Sequence, residues 1–94
     1  MIAFTLHIKV KPGTEGTAQT VLSELERQTQ SHEGRLFFSW FQHVTSPVEF
    51  TLLEEWVSRE AMDAHIAKIL KLWGDFTPNL DGEPVSTELR KLVT

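Results

Sequence analysis

Strand, helix, strand, strand, helix, strand is the order that this 94-residue sequence predicts, an α+β fold in a single domain spanning residues 1–94. Three observations carry that expectation. Residues 2 to 11 alternate apolar and polar types, as a strand with one buried face does. The stretch Phe50 to Trp56 is rich in β-forming residues and hands over at Ser58 to a helical repeat. Between the periodic segments stand turn signals: Pro12-Gly13, His32-Glu33-Gly34, Thr45-Ser46-Pro47 and Asp81-Gly82.

In the first strand Ile2, Phe4, Leu6, Ile8 and Val10 share one face, and Ala3, Thr5, His7, Lys9 and Lys11 the other. After Pro12-Gly13, Thr14 can cap a helix whose apolar positions Ala18, Val21, Leu22 and Leu25 keep helical spacing and which runs to about Gln30. Gly34 is the residue suited to leave that helix with positive φ. From Arg35 to His43 a second strand has bulky groups on both faces, Leu36, Phe38 and Trp40 on one and Phe37 and Phe41 on the other, so it wants cover on both sides.

The turn at Thr45-Ser46-Pro47 makes a hairpin into a third strand, with Phe50, Leu52, Glu54 and Trp56 on one face and Leu53 and Val57 on the other. The helix after Ser58 places Met62, Ile66, Ile69 and Trp73 on one stripe, bordered by His65 and Leu70. Gly74 is expected to interrupt it, Phe76 to Leu80 to form a short extra helix, and Pro84 to Val93 a last strand with Val85, Leu89 and Val93 available for packing.

This order is the split βαβ arrangement of the ferredoxin-like fold, a four-stranded antiparallel sheet. Right-handed crossovers put both helices on one face and leave the other bare. Phe37, Phe41, Leu53 and Val57 on that bare face predict a homodimer joined sheet to sheet, because burial of apolar surface at roughly 25 cal/mol per Å² drives association.

Composition narrows the partners. Nine basic residues are scattered against 13 acidic ones, so no basic stripe is available for nucleic acid. No apolar run approaches the roughly 20 residues of a spanning helix, and Met1 leads into strand-like sequence without the regions of a signal peptide. With no cysteine there is no disulfide, thiolate nucleophile or Cys-based zinc site, which fits a reducing cytoplasm.

Lys11-Pro12-Gly13 after the first strand, Glu33-Gly34 before the second, Ser46-Pro47 in the hairpin, and Glu54-Glu55-Trp56 followed nine residues later by Ala64-His65 together resemble the antibiotic biosynthesis monooxygenase family. After His65 the likeness fades, since members often place Ser or Pro and another His or aromatic where this chain has Ala67-Lys68-Ile69-Leu70. The resemblance implies a dimeric α+β barrel that oxygenates phenols, quinols or anthrones with dioxygen and no metal, flavin or haem. Isomerases of small signalling compounds and haem-degrading proteins share the family. The haem-degrading branch uses an Asn on the first strand, and residues 2 to 11 contain none.

Three groups are the candidates for chemistry. His65, with an unperturbed pKa near 6.5, can take a proton from a phenolic hydroxyl, or it is a helix histidine at the core edge bonded to Glu54. Trp56 can stack on an aromatic substrate or donate its N–H to a substrate oxygen, or it is core. Glu54 shares the face of Trp56 and, once buried, needs a partner in His65, Arg59, the backbone or an Arg across the dimer. Phe4, Leu6, Phe38, Trp40, Met62, Ile69 and Trp73 can line an apolar cleft with Glu54 as substrate-binding residues. His7 and His43 sit on strands, solvated or reaching a pocket. Four histidines without close pairing in the sequence argue against a metal site.

The reading is thus a cofactor-independent monooxygenase of a small aromatic compound, with His65 as base and Trp56 positioning the ring. Its competitors are an isomerase or tautomerase, a non-catalytic small-molecule-binding or stress-related dimer, and a pure interaction module without a pocket.

Overall fold

The computed structural model describes residues 1–93. Its elements are β1 (Ile2–Lys9), α1 (Glu15–Thr29), β2 (Arg35–Gln42), β3 (Glu49–Trp56), α2 (Arg59–Phe76), a 3-10 turn (Thr77–Asn79) and β4 (Val85–Leu89). The strands form one sheet in the order β2-β3-β1-β4, antiparallel throughout. β1 and β2 both flank β3, and β3 and β4 both flank β1, so each helix joins two strands that share a neighbour. This is the ferredoxin-like βαββαβ fold that the alternation predicts.

The pairing register decides which side chains meet the helices. Phe4 lies opposite Glu54, Leu6 opposite Leu52 and Ile8 opposite Phe50, while Phe38 and Trp40 lie opposite Glu54 and Leu52 from the other side. The helices cover this face in two packed groups. Ile8, Val10 and Phe50 meet Ala18, Leu22 and Leu25 of α1 and Phe76 of α2. Phe38, Leu52 and Trp56 meet Met62 near the start of α2.

Several local expectations change. Ser58 caps α2 as expected, its Oγ accepting from the Ala61 N–H, but the Thr14 hydroxyl turns back to the Lys11 carbonyl and caps nothing in α1. Gly74 does not interrupt α2, because one helical glycine costs only about 1 kcal/mol and Phe76 beyond it is buried in the core. The extra helix shrinks to the 3-10 turn. The stripe of α2 is also rotated: Met62 and His65 are buried, Ile66 is 42% exposed and Leu70 62%.

In β2 a bulge between Arg35 and Phe37 leaves Leu36 unpaired and exposed, away from the face of Phe38 and Trp40 on which alternation places it. β4 ends at Leu89, short of Val93. Val85, Leu89 and Val93 do not pack in the subunit, because β4 has β1 as its one neighbour and its apolar residues stand on the uncovered face with His7 and Ala3.

Candidate functional site

The two packed groups do not merge into one solid core. Between them, under α2, lies a cavity of about 260 Å³. It is lined by Phe4 and Leu6 from β1, Phe38 and Trp40 from β2, Leu52 and Glu54 from β3, and Met62, His65, Ile69 and Trp73 from α2. All eight residues expected to bind substrate therefore reach one space. Leu25, Leu52, Ile66 and Ser86 join them, and the sequence reading did not single these out as lining residues. Trp40 and Trp73, both on the cavity's lining, lie almost parallel, 18° apart with centroids at 6.3 Å. A larger hollow of about 500 Å³ runs along the β2 edge, but Glu26, Arg27, Gln30 and Arg35 line it and neither Glu54 nor His65 reaches it.

Two polar groups enter the apolar cavity. Glu54 arrives because even positions of β3 face the helices. Its Oε1 accepts a hydrogen bond from the Trp56 indole N–H at 2.7 Å, a meeting that follows from the two-residue period of a strand. Burial pushes the Glu54 carboxyl above its ordinary range, against the opposing pull of the Trp56 hydrogen bond. The partner of Glu54 is thus Trp56. Arg59 instead lies over the Phe4 ring and 3.6 Å from Glu88, and His65 bonds elsewhere.

Trp56 is fully buried and does not line the cavity. Its edge faces Phe38 and its ring lies 4.6 Å from His65. Stacking on a substrate and donation to a substrate oxygen are both closed to it in this geometry; it holds Glu54 and backs His65.

His65 is 3% exposed and packs against Trp56 and Phe38. Its Nδ1 lies 2.8 Å from Nδ1 of His32, so one ring must donate and the other accept. That leaves the His65 Nε2 for a bound molecule. Burial first, then the neighbouring charges of His32 and Lys68, push the His65 imidazole down to about 4. His32 is lowered too, by burial and then by Lys68. His65 also lines a cleft of about 310 Å³ on the outer side, together with His32, Glu33 and Lys68. The imidazole is thus a partition between cavity and surface.

His32 was not singled out by the sequence. The signal available was Gly34: it has φ +83, and a Cβ there would lie 2.5 Å from the Ala61 Cβ and 2.8 Å from Val57 Cγ2. Only a glycine lets the turn settle onto α2, and that close approach delivers His32 to His65. The histidines, unpaired along the chain, are paired in space: His32 with His65, and His7 with His43, whose ring centroids are 5.4 Å apart.

On the uncovered face Phe37 and Phe41 are 37% and 53% exposed and Leu53 is half-buried between Thr5 and Ser39. Val57 stands beyond the end of β3, against Gly34 at the rim of the outer cleft. Among the described residues no helix is long and apolar enough to cross a membrane.

Solved structures share this fold along the whole chain. A crystal structure of an antibiotic biosynthesis monooxygenase superposes with a TM-score of 0.91 at 20% identity, covering 98% of this chain and 99% of its own. A conserved protein from Methanosarcina mazei Go1 reaches 0.88 at 25% identity, covering 96% and 91%. A protein from Shewanella oneidensis reaches 0.85 at 21% identity, covering 94% and 87%. None of the curated proteins matches the chain. The sequence profile of the antibiotic biosynthesis monooxygenase family matches residues 1–68, which takes in every strand but the last, the Glu54–Trp56 pair and His65, and stops close to where the resemblance in the sequence fades; with more than two thirds of its length matched, the chain belongs to that family.

Proposed function

We propose that the cavity oxygenates a small phenol or quinol without a metal or organic cofactor, using dioxygen and the substrate's own electrons. The observation that supports this reading is the placement of two proton-handling groups with inverted basicity, Glu54 and His65, on an otherwise apolar wall.

The inversion assigns the roles. Burial favours the protonated form of Glu54 and the neutral form of His65, so Glu54 is assigned as the proton acceptor, and on taking the proton it becomes a neutral acid. The substrate O–H bond breaks, the proton goes to Glu54, and the electron pair stays on the substrate as a phenolate. His65, neutral at pH 7, holds a substrate oxygen through Nε2. Positioning the ring, expected of Trp56, passes to Trp40 and Trp73. The buried Trp40 N–H, which has no partner among the described residues, is a donor for a second substrate oxygen.

The phenolate then passes one electron to dioxygen, and the resulting radical and superoxide combine as a peroxide. Loss of water cleaves the O–O bond and leaves one oxygen atom on the substrate. For a quinol the balance is quinol plus dioxygen to hydroxyquinone plus water, with no outside reductant. The cavity, with its mainly apolar lining, limits the water that reaches these intermediates. At about 260 Å³, under the roughly 300 Å³ at which drug-sized sites begin, it suits one- and two-ring compounds better than large polyketides.

The same two groups also support a tautomerase, which needs no oxygen. An oxygen electrode with a panel of quinols and anthrones separates the two. Uptake is expected with small quinols and falls by about 10²-fold or more in Glu54→Gln. Product without uptake means the tautomerase; no uptake with any panel member sinks the oxygenase reading for those classes.

The working unit in this proposal is a homodimer joined through Phe37, Phe41 and Leu53; Val57, expected in the same interface, lies instead at the cleft beside α2. Val85 and Leu89, exposed on the same sheet face, extend the apolar patch. Sedimentation giving a monomer at micromolar concentration would contradict it.

A further inference from the structure

The second histidine pair stands on the other face of the sheet, away from the cavity, and the reaction proposed above makes no use of it. His7 is on β1, opposite Thr51 of β3 and Val85 of β4. Glu49 opens β3. His43 follows β2, and its backbone N–H donates to the Glu49 carbonyl at 2.9 Å. The three side chains thus come from three segments tied together by sheet hydrogen bonds. His7 Nε2 lies 2.9 Å from Glu49 Oε1, and His43 Nε2 lies 2.7 Å from the Thr51 hydroxyl. One donor atom from each of His7, His43 and Glu49 lies within 4.8 Å of the other two, and all three residues are half-buried.

We infer that His7, His43 and Glu49 bind one divalent transition-metal ion on the uncovered face of the sheet. Two imidazoles and a carboxylate are a donor set for zinc, copper(II), nickel or iron(II). Bonds of about 2.1 Å in a tetrahedral arrangement separate donor atoms by about 3.4 Å. With the donor atoms within 4.8 Å of one another, the widest pair must close by at most about 1.4 Å to reach that spacing. Binding exchanges the His7–Glu49 and His43–Thr51 hydrogen bonds for bonds to the ion. The expectation against a metal rested on histidines scattered along the chain, and the β2–β3 hairpin removes that ground by folding His43 and Glu49 onto β1.

The competing arrangement is a hydrogen-bonded trio that pins the hairpin to β1 and binds nothing. Calorimetric titration of untagged, chelator-treated protein with zinc decides between them, with cobalt(II) absorption as a second reading. Expected is one zinc per chain with Kd about 10 µM or tighter and visible cobalt bands. His7→Ala and His43→Ala each weaken binding at least about tenfold, while His32→Ala, in the other pair, changes it less than about twofold. Histidine NMR spectra show cobalt broadening His7 and His43. Absence of saturable binding up to about 1 mM overturns the inference. So does unchanged affinity in the His7→Ala, His43→Ala double variant, whose retained fold circular dichroism verifies.

Discussion

The two ends of the helix–sheet interface are built from the same strands and the same helix, yet they differ in kind. At the end of Ile8, Phe50, Leu22 and Phe76 every buried group of the packed cluster is apolar. At the other end Phe38, Leu52, Trp56 and Met62 share space with Glu54, His65, an indole N–H and a cavity. A close-packed apolar end gains from each methylene it buries. The cavity end gives up contacts and desolvates two titratable groups, which costs stability and tunes their proton affinities. The first end thus supports the fold, and the second holds the groups to which the proposed reaction is assigned.

Truncation on both sides is the strongest way to break that contrast. Phe50→Ala and Phe76→Ala should cost about 3–5 kcal/mol, because they open voids in packed surroundings. Met62→Ala, whose side chain already borders the cavity, should cost about 2 kcal/mol, at the low end for such changes. Urea unfolding at one fixed protein concentration measures all three. Equal losses would mean that the two ends are packed alike.

A pH series sharpens the comparison through charge alone. His65 has a folded pKa of about 4, below its unfolded value near 6.5. Its contribution is therefore present above pH 6.5 and is lost as pH falls toward 4, because the unfolded chain takes a proton that the native ring refuses. The loss should reach about 3 kcal/mol. Glu54, raised by burial, acts with the opposite sign: its contribution is present below the ordinary carboxylate range and is lost as pH rises through the folded pKa. The titratable groups around His65 are His32, Glu33, Glu60 and Lys68 at the cleft and Glu54 at the cavity. In His65→Leu the decline between pH 6.5 and 4 should flatten, and in Glu54→Gln it should steepen. Variants running parallel to wild type across this range would remove the electrostatic half of the contrast.

The sequence made some of this arrangement legible and concealed the rest for physical reasons. Alternation in β1 and β3 assigns Phe4, Leu6, Glu54 and Trp56 to the covered face because a strand period of 2 leaves no choice. The eight lining residues follow from those faces and from the helical stripe of α2. What the pattern concealed depends on contacts far apart in the chain. The bulge at Leu36 breaks the parity of β2, and the turn that brings His32 to His65 depends on the meeting of Gly34 with Ala61 on another element. The exposure of β4 depends on its place at the sheet edge, since a short strand carries no mark of how many neighbours it has. Alternation makes Trp56 legible as a neighbour of Glu54 and suggests a group that positions a substrate ring; only burial shows that its N–H is spent inside the protein.

Trp56→Phe tests the smallest element of the contrast. The change keeps an aromatic ring beneath His65 and removes the single N–H that holds Glu54 Oε1. Stability should fall by about 1 kcal/mol, the scale of one hydrogen bond, and far less than at Phe50. The Trp56 bond lowers the Glu54 pKa against burial, so its loss should move the acidic limb of the pH–rate profile upward while leaving the limb set by the substrate hydroxyl in place. A variant in which Trp56 served only as core would lose the same stability with an unshifted profile. The profile therefore separates filling space from tuning a carboxyl, the two uses of a buried side chain that distinguish one end of this interface from the other.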